Sequence, residues 1–182
     1  MRDVLRRLLL SLVVAVAVFG VAPVAPAAAA PDPPVTTGGN LRNAHTGKCL
    51  GVANGLAGSW TCTKGRDQLW HQGNCPLEKP GYCQVVNGNG QCLAVDGGEV
   101  TEGRRVWGFP CSGTDDQYWT ALEMMAGQIV NFVNYRGTWQ DGEPDYVLAV
   151  YGRSMDNGAP VVIWRYHPEF PDHTWSPEFP WQ

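Results

Sequence analysis

The residues able to do chemistry recur in one short pattern. Asp67-Gln68-Leu69-Trp70 returns as Asp116-Gln117-Tyr118-Trp119 and, altered, as Asp172-His173-Thr174-Trp175. Each copy sets an acceptor-only carboxylate beside an amide or an imidazole and ends on an indole. No reactive set accompanies them: the chain has no Gly-x-Ser-x-Gly, no His-Glu-x-x-His and no phosphate-binding glycine loop. Asp115 and Asp116 are sequence neighbours, so in extended chain they face opposite sides and form no catalytic dyad. His45, His71, His167 and His173 are scattered. His167 and His173 could approach each other in the third copy, where solvent-facing or structural roles outweigh a metal pair. No catalytic residue, cofactor or metal site is expected, and the chain reads as a non-enzyme.

A pattern that returns at roughly 50 residues implies an internal repeat. Each copy closes a unit that opens with Asn43, Asn87 or Asn134. The units pass through Cys49-Leu50-Gly51-Val52, Cys92-Leu93-Ala94-Val95 and Val147-Leu148-Ala149-Val150. Their middle carries an aromatic residue: Trp60, Phe109 or Trp164. Between short apolar runs stand Asn54-Gly55, Asn87-Gly88, Asn89-Gly90 and Asn157-Gly158, dipeptides that accept the positive φ angles of tight hairpins. With 22 Gly and 14 Pro against a single helix-like patch at residues 121–126, the fold class is all-β. That patch reads as a strand continuing into the link between units two and three. Three equal units around one core would close the sheet and leave no free edge. Trp70, Trp119 and Trp175 are then expected to be core residues, since a buried ring covers ~150–250 Å².

Residues 1–30 have the layout of a secretory leader: Arg2, Arg6 and Arg7, an apolar run from Leu8 to Val21, and small residues ending at Ala30. The alternative, a membrane anchor, needs ~20 apolar residues, which this run does not reach, so no membrane span is expected. Residues 31–39 are a Pro-, Thr- and Gly-rich linker, and residues 40–182 the folded domain. Beyond the leader 10 basic residues face 16 acidic ones, a net charge of −6 with no basic stripe. That balance argues against nucleic acid as a partner. All six cysteines lie in the secreted part, where disulfides form. Spacing alone allows fifteen pairings. The repeat narrows them, because Cys49 and Cys62 occupy the same repeat positions as Cys92 and Cys111. Bonds within each unit leave Cys75 and Cys83 to staple the connection between units one and two. Val147 and Tyr166 stand at the cysteine positions of the third unit. Six cysteines also suit zinc, but no Cys-x-x-Cys pair exists.

Gly47-Lys48-Cys49-Leu50-Gly51-Val52, then Trp60-Thr61-Cys62, then Asp67-Gln68-Leu69-Trp70 resembles the ricin B-chain-type lectin repeat, whose hallmark is Gln-x-Trp. Gly90-Gln91-Cys92-Leu93-Ala94-Val95, Phe109-Pro110-Cys111 and Asp116-Gln117-Tyr118-Trp119 match it again. The third unit fits more loosely, with an insertion between Gly137 and Tyr146 and His173 in place of Gln. The resemblance implies a β-trefoil: twelve strands in three lobes of four, a six-stranded barrel capped by hairpins. It also implies a shallow sugar site in each lobe. There a carboxylate two residues after the first Cys accepts hydroxyl protons, the mid-unit ring stacks on the sugar, and the Gln-x-Trp step completes the pocket. Here Gly51, Ala94 and Ala149 replace the carboxylate, and Gly58, Trp107 and Val162 replace a polar residue before the ring. The sugar-contacting residues carried over are Trp60, Asp67 and Gln68, then Phe109, Asp116 and Gln117, then Trp164 and Asp172. Asp96, two residues beyond Ala94, is either a shifted carboxylate on the same strand face or a turn residue before Gly97-Gly98.

Two functions are therefore expected. The first is a secreted, non-catalytic carbohydrate-binding protein with weak or atypical sites, a glycan or glycoconjugate being its partner and lobe two its best site. The second is a trefoil that has given up sugar for a protein partner, such as an accessory subunit of a secreted toxin or enzyme complex. Phe179-Pro180-Trp181 either docks on that partner or packs on its own barrel.

Overall fold

A computed structural model of the protein describes residues 38–125 and 129–181. The leader, most of the linker and the last residue of the 121–126 patch lie outside the described residues. Among the described residues fourteen short strands and four single-turn 3₁₀ segments follow one another. The strands of lobe one are β1 (Leu41–Asn43), β2 (Cys49–Ala53), β3 (Leu56–Trp60) and β4 (Trp70–Gln72). Lobe two has β5 (Cys83–Asn87), β6 (Gln91–Val95), β7 (Val106–Pro110) and β8 (Tyr118–Met125). Lobe three has β9 (Ile129–Asn134), β10 (Trp139–Gln140), β11 (Glu143–Pro144), β12 (Tyr146–Val150), β13 (Ala159–Arg165) and β14 (Trp175–Pro177). The 121–126 patch is strand through Met125, because its residues pair along β9 rather than turning back on themselves.

The first and last strand of every lobe build a barrel. Its order is β1, β14, β9, β8, β5, β4, all antiparallel neighbours. A bridge from Gly39 to Trp70 closes the ring, so the barrel has six staves and no open edge. The middle strands form three hairpins of five paired positions each, β2–β3, β6–β7 and β12–β13. These cap one end by pairing among themselves, β3 with β13 and with β7, and β7 with β13 through Arg105 and Val162. Asn54 at φ 52° and Gly55 at φ 82° make the first hairpin's turn, the conformation expected of Asn-Gly. The architecture is the β-trefoil that the repeat implied, with one addition: the insertion in lobe three forms a small extra hairpin, β10–β11.

Trp70, Trp119 and Trp175 are fully buried in a single core with Leu50, Leu93 and Leu148. Each indole N–H donates to the carbonyl of the leucine of its own lobe, Leu50 at 2.9 Å, Leu93 at 2.8 Å and Leu148 at 3.0 Å. The donor that would otherwise cost ~1–3 kcal/mol buried and unmet is thereby satisfied. The three disulfides are Cys49–Cys62, Cys75–Cys83 and Cys92–Cys111, as the repeat alignment requires. The tail packs on its own barrel: Phe179 is buried, and Trp181 meets Phe132 edge-on at 5.0 Å.

Candidate functional site

In each lobe the mid-unit ring stands on the middle hairpin and the late acid on the 3₁₀ turn or loop before the closing Trp. The three outcomes differ. In lobe one the cradle is filled by the protein itself. A Cβ added at Gly51 would lie 2.8 Å from Gln68 Cγ, 3.1 Å from Trp60 Cδ1 and 3.2 Å from Asp67 Oδ2. The Trp60 ring also covers Gly58 and reaches across to Gly158 of lobe three, where an added Cβ would be 2.9 Å from Cη2. Its N–H is buried without a partner. Trp60 is thus a ring laid flat on three glycines, and the position of the missing carboxylate is occupied rather than vacant.

Gln68 and Gln117 are buried and spend their amides on their own loops. Gln68 Oε1 accepts from the Thr63 N–H at 2.8 Å, and its Nε2 donates to the Thr61 carbonyl at 3.1 Å. Gln117 repeats this with the Ser112 N–H at 2.8 Å and the Pro110 carbonyl at 2.9 Å. These glutamines clamp the loop that carries the acid before them.

In lobe two the candidates are dispersed. Strand β6 ends at Val95, and Asp96 opens a 3₁₀ turn whose next residues, Gly97 and Gly98, have φ of 65° and 71°. Strand alternation therefore stops before Asp96 and does not carry it onto the face of Ala94. Asp96 lines a polar cavity of about 230 Å³ with residues 101–105, which Phe109, Asp116 and Gln117 do not line. Phe109, 38% exposed, stacks on Trp107 with ring centroids 5.8 Å apart. Asp116 is half-buried beside Arg136 and Gly98, the last residue of Asp96's own turn.

Lobe three concentrates its groups. A cavity of about 240 Å³ is lined by Val150, Gly152, Arg153, Trp164, Phe170, Asp172 and His173. Asp172 and His173 sit on the 3₁₀ turn Pro171–His173, at 3% and 0% exposure. That turn is fixed by Asn43, whose side-chain N–H donates to the Asp172 carbonyl at 2.8 Å, and by Asn131, which donates to the His173 carbonyl at 2.7 Å. Arg153, at φ 54°, brings its Nε to 3.5 Å from Asp172 Oδ1 and its guanidinium over the Phe170 ring at 5.2 Å. Asp172 Oδ1 keeps no hydrogen-bond partner, nor does His173 Nε2. Trp164 is flanked edge-on by Tyr151, which is exposed, at 5.7 Å.

His173 takes over the glutamine's role only in part. Its Nδ1 accepts the His167 backbone N–H at 3.3 Å, as the glutamine oxygens accept theirs. Nε2, with no carbonyl to meet, lies 3.7 Å from Asp172 Oδ2. Burial pushes the imidazole below the ordinary 6.5, against the attraction of Asp172. His167 and His173 do come together, with ring centroids 6.3 Å apart. No group of three or more metal-ligating side chains occurs among the described residues. Of the cavity's groups, Trp164 and Asp172 follow from the repeat. Arg153 stands where lobe two has Gly98, on the turn after the second strand, and Phe170 where the other lobes have Gly65 and Thr114, so the positions recur but their side chains do not.

No helix among the described residues is long and apolar enough to cross a membrane. A search of curated protein sequences returned no match. Among solved structures the chain is similar to ThreeFoil, a designed threefold-symmetric protein, at 24% identity and TM-score 0.65, covering 76% of this chain and 95% of that one. It is similar to a ricin B-like lectin of Macrolepiota procera, solved with lactose, at 16% identity and TM-score 0.62, covering 80% and 99%. It also matches an exo-β-1,3-galactanase from Clostridium thermocellum at 20% identity and TM-score 0.67, covering 81% of this chain but spanning only 31% of that one. These likenesses are of fold. The family profile described as ricin-type beta-trefoil lectin domain matches residues 37–165, short of the segment that supplies Phe170, Asp172 and His173. A match through two whole lobes and most of the third, on a chain that closes into a three-lobed barrel, makes this protein a member of the ricin-type β-trefoil lectin domain family.

Proposed function

We propose that this protein is a secreted, non-catalytic carbohydrate-binding protein whose sugar site is the cavity of lobe three. One observation carries the reading: a buried carboxylate, whose Oδ1 faces Arg153 but makes no hydrogen bond, borders a half-open, ring-lined cavity. A sugar offers hydroxyl protons to such an acceptor and C–H groups to a flat ring. The volume lies below the ~300–1,000 Å³ of sites for drug-sized ligands, which suits one small ring. Secretion is supported by the leader's layout and by three disulfides. With one compact site per chain, affinity for a single sugar is on the order of millimolar, and useful binding needs several copies at once.

A glycan array probed with the protein from Pro31 onward tests this. Binding to neutral glycans is expected, weakened by Asp172→Asn and Trp164→Ala and unchanged by Phe109→Ala. Binding that instead depends on Asp96 and Phe109 would move the site to lobe two. A second reading, a protein-binding trefoil, is favoured by the self-filled cradle of lobe one and by the added hairpin, which presents Trp139 at 41% exposure. Silence across the array would select it.

A further inference from the structure

We propose that lobe three reads two adjacent hydroxyls of a neutral pyranose, with the Asp172 carboxylate as acceptor and the Nε2–H of neutral His173 as donor, and that it releases the sugar on acidification. This rests on lobe three being the sugar site.

The tautomer follows from the backbone. Nδ1 of His173 accepts the His167 N–H at 3.3 Å, so the single proton of a neutral ring sits on Nε2. That N–H and Asp172 Oδ1 are both buried without hydrogen-bond partners, and both residues line the same cavity. Unmet polar groups of this kind are costly when buried, and a bound hydroxyl pair would satisfy one donor and one acceptor together. The glutamines of lobes one and two offer no such group, because their Nε2 atoms donate to Thr61 and Pro110. A histidine at this step therefore adds a donor that the repeat elsewhere consumes.

Charge selects a neutral ligand. With His173 neutral, the cavity wall carries Asp172 against Arg153, whose Nε lies 3.5 Å from the carboxylate. An acidic sugar would meet a buried carboxylate, and an amino sugar would compete with the guanidinium already stacked on Phe170. Protonation changes both functions. An imidazolium must give up the His167 N–H, and it stands 3.7 Å from Asp172 Oδ2, so it pairs with the carboxylate the sugar needs. The charged groups around the ring are Asp172, Arg153, Glu169 and His167, and burial already disfavours its charged form. From β9, the neighbouring side chain is the uncharged Asn131.

The test uses the full secreted chain and four polymers bearing terminal β-galactose, β-glucose, α-mannose or α-fucose, at pH 7.5 and pH 5.0. Tryptophan fluorescence confirms the fold at each pH. The expected result is binding of at least one polymer at pH 7.5 that is about twofold or more weaker at pH 5.0. In His173→Gln, which keeps both an acceptor and a donor but cannot titrate, the fall should vanish. In His167→Asn, which keeps the backbone N–H, it should persist. Asp172→Asn should lose about tenfold at pH 7.5, and Asp116→Asn in lobe two should lose nothing. Binding that is equal at both pH values, or still pH-dependent in His173→Gln, overturns this inference while leaving a sugar-binding lobe three intact. No binding to any polymer at pH 7.5 overturns the sugar reading itself, and this inference with it.

Discussion

At the residue scale, the same aligned position holds three different kinds of structure. Gly51 lies beneath a ring, Ala94 is the cross-strand partner of Trp107, and Ala149 is the cross-strand partner of Val162 within the lobe-three hairpin. The missing carboxylates are therefore not interchangeable losses. Restoring the acid in lobe one should fail, because the new Cβ alone would sit 2.8 Å from Gln68 Cγ. Gly51→Asp is expected to destabilise the fold by roughly 1–3 kcal/mol through overpacking, with a further cost from burying its charge, and to add no glycan binding. Urea unfolding followed by tryptophan fluorescence measures the first part. A variant as stable as the parent would mean that the Trp60 ring swings out freely.

At the element scale, the three capping hairpins have equal registers of five pairs, but only two are stapled. The Cys49–Cys62 and Cys92–Cys111 bonds close loops whose ends are 13 and 19 residues apart. In the chain-entropy account each contributes about 3 kcal/mol. Hairpin β12–β13 has no such tie, and it is also the one beside the cavity. Its amides should exchange with solvent faster than those of β2–β3 and β6–β7 in mild denaturant. Hydrogen exchange read by mass spectrometry checks this, and reduction of the disulfides should bring the three hairpins together. If β12–β13 proved the best protected, side-chain packing in lobe three would outweigh both bonds.

For the whole molecule, closure is the main stabilising device. Each cap ring crosses to the turn of another lobe: Trp60 to Gly158, Trp107 to Gly55, and Trp164 to Gly103. The lobes are thereby interlocked in a cycle, and no lobe is expected to unfold alone. Stability should fall with acid for a reason the cycle does not address. Burial lowers His71 and His173 below 6.5, so between that value and their folded values the unfolded chain binds more protons. Their contribution is fully present above pH 6.5, is lost as pH falls through this window, and levels off below it. The urea midpoint should therefore be lower at pH 5.5 than at pH 7.5, with a smaller difference in His173→Gln. A midpoint that rises on acidification would place these rings in contact with acids strongly enough to reverse the sign.

The sequence by itself determined the fold. Three returns of a closing Trp, the Asn-Gly turns and the paired positions of four cysteines are local signals, and a closed barrel is how three such units bury their rings together. It determined the disulfides for the same reason, since equivalent positions in equivalent units are neighbours. Where the chain makes a cavity was decided only in three dimensions. Asp96 stands two residues from Ala94, yet a 3₁₀ turn takes it off the strand face, and Gln68 and Gln117 look available until their loops claim both ends of the amide. Arg153 and Phe170 stand on turns that recur in the repeat, where lobe two has Gly98 and Thr114, and they meet Asp172 because the two turns are folded against one hairpin. Repeat positions report what the barrel needs, and the barrel needs the same thing three times. A binding cavity depends on which unrepeated side chains those repeated turns carry, and their approach is set by packing across the molecule rather than by spacing along the chain.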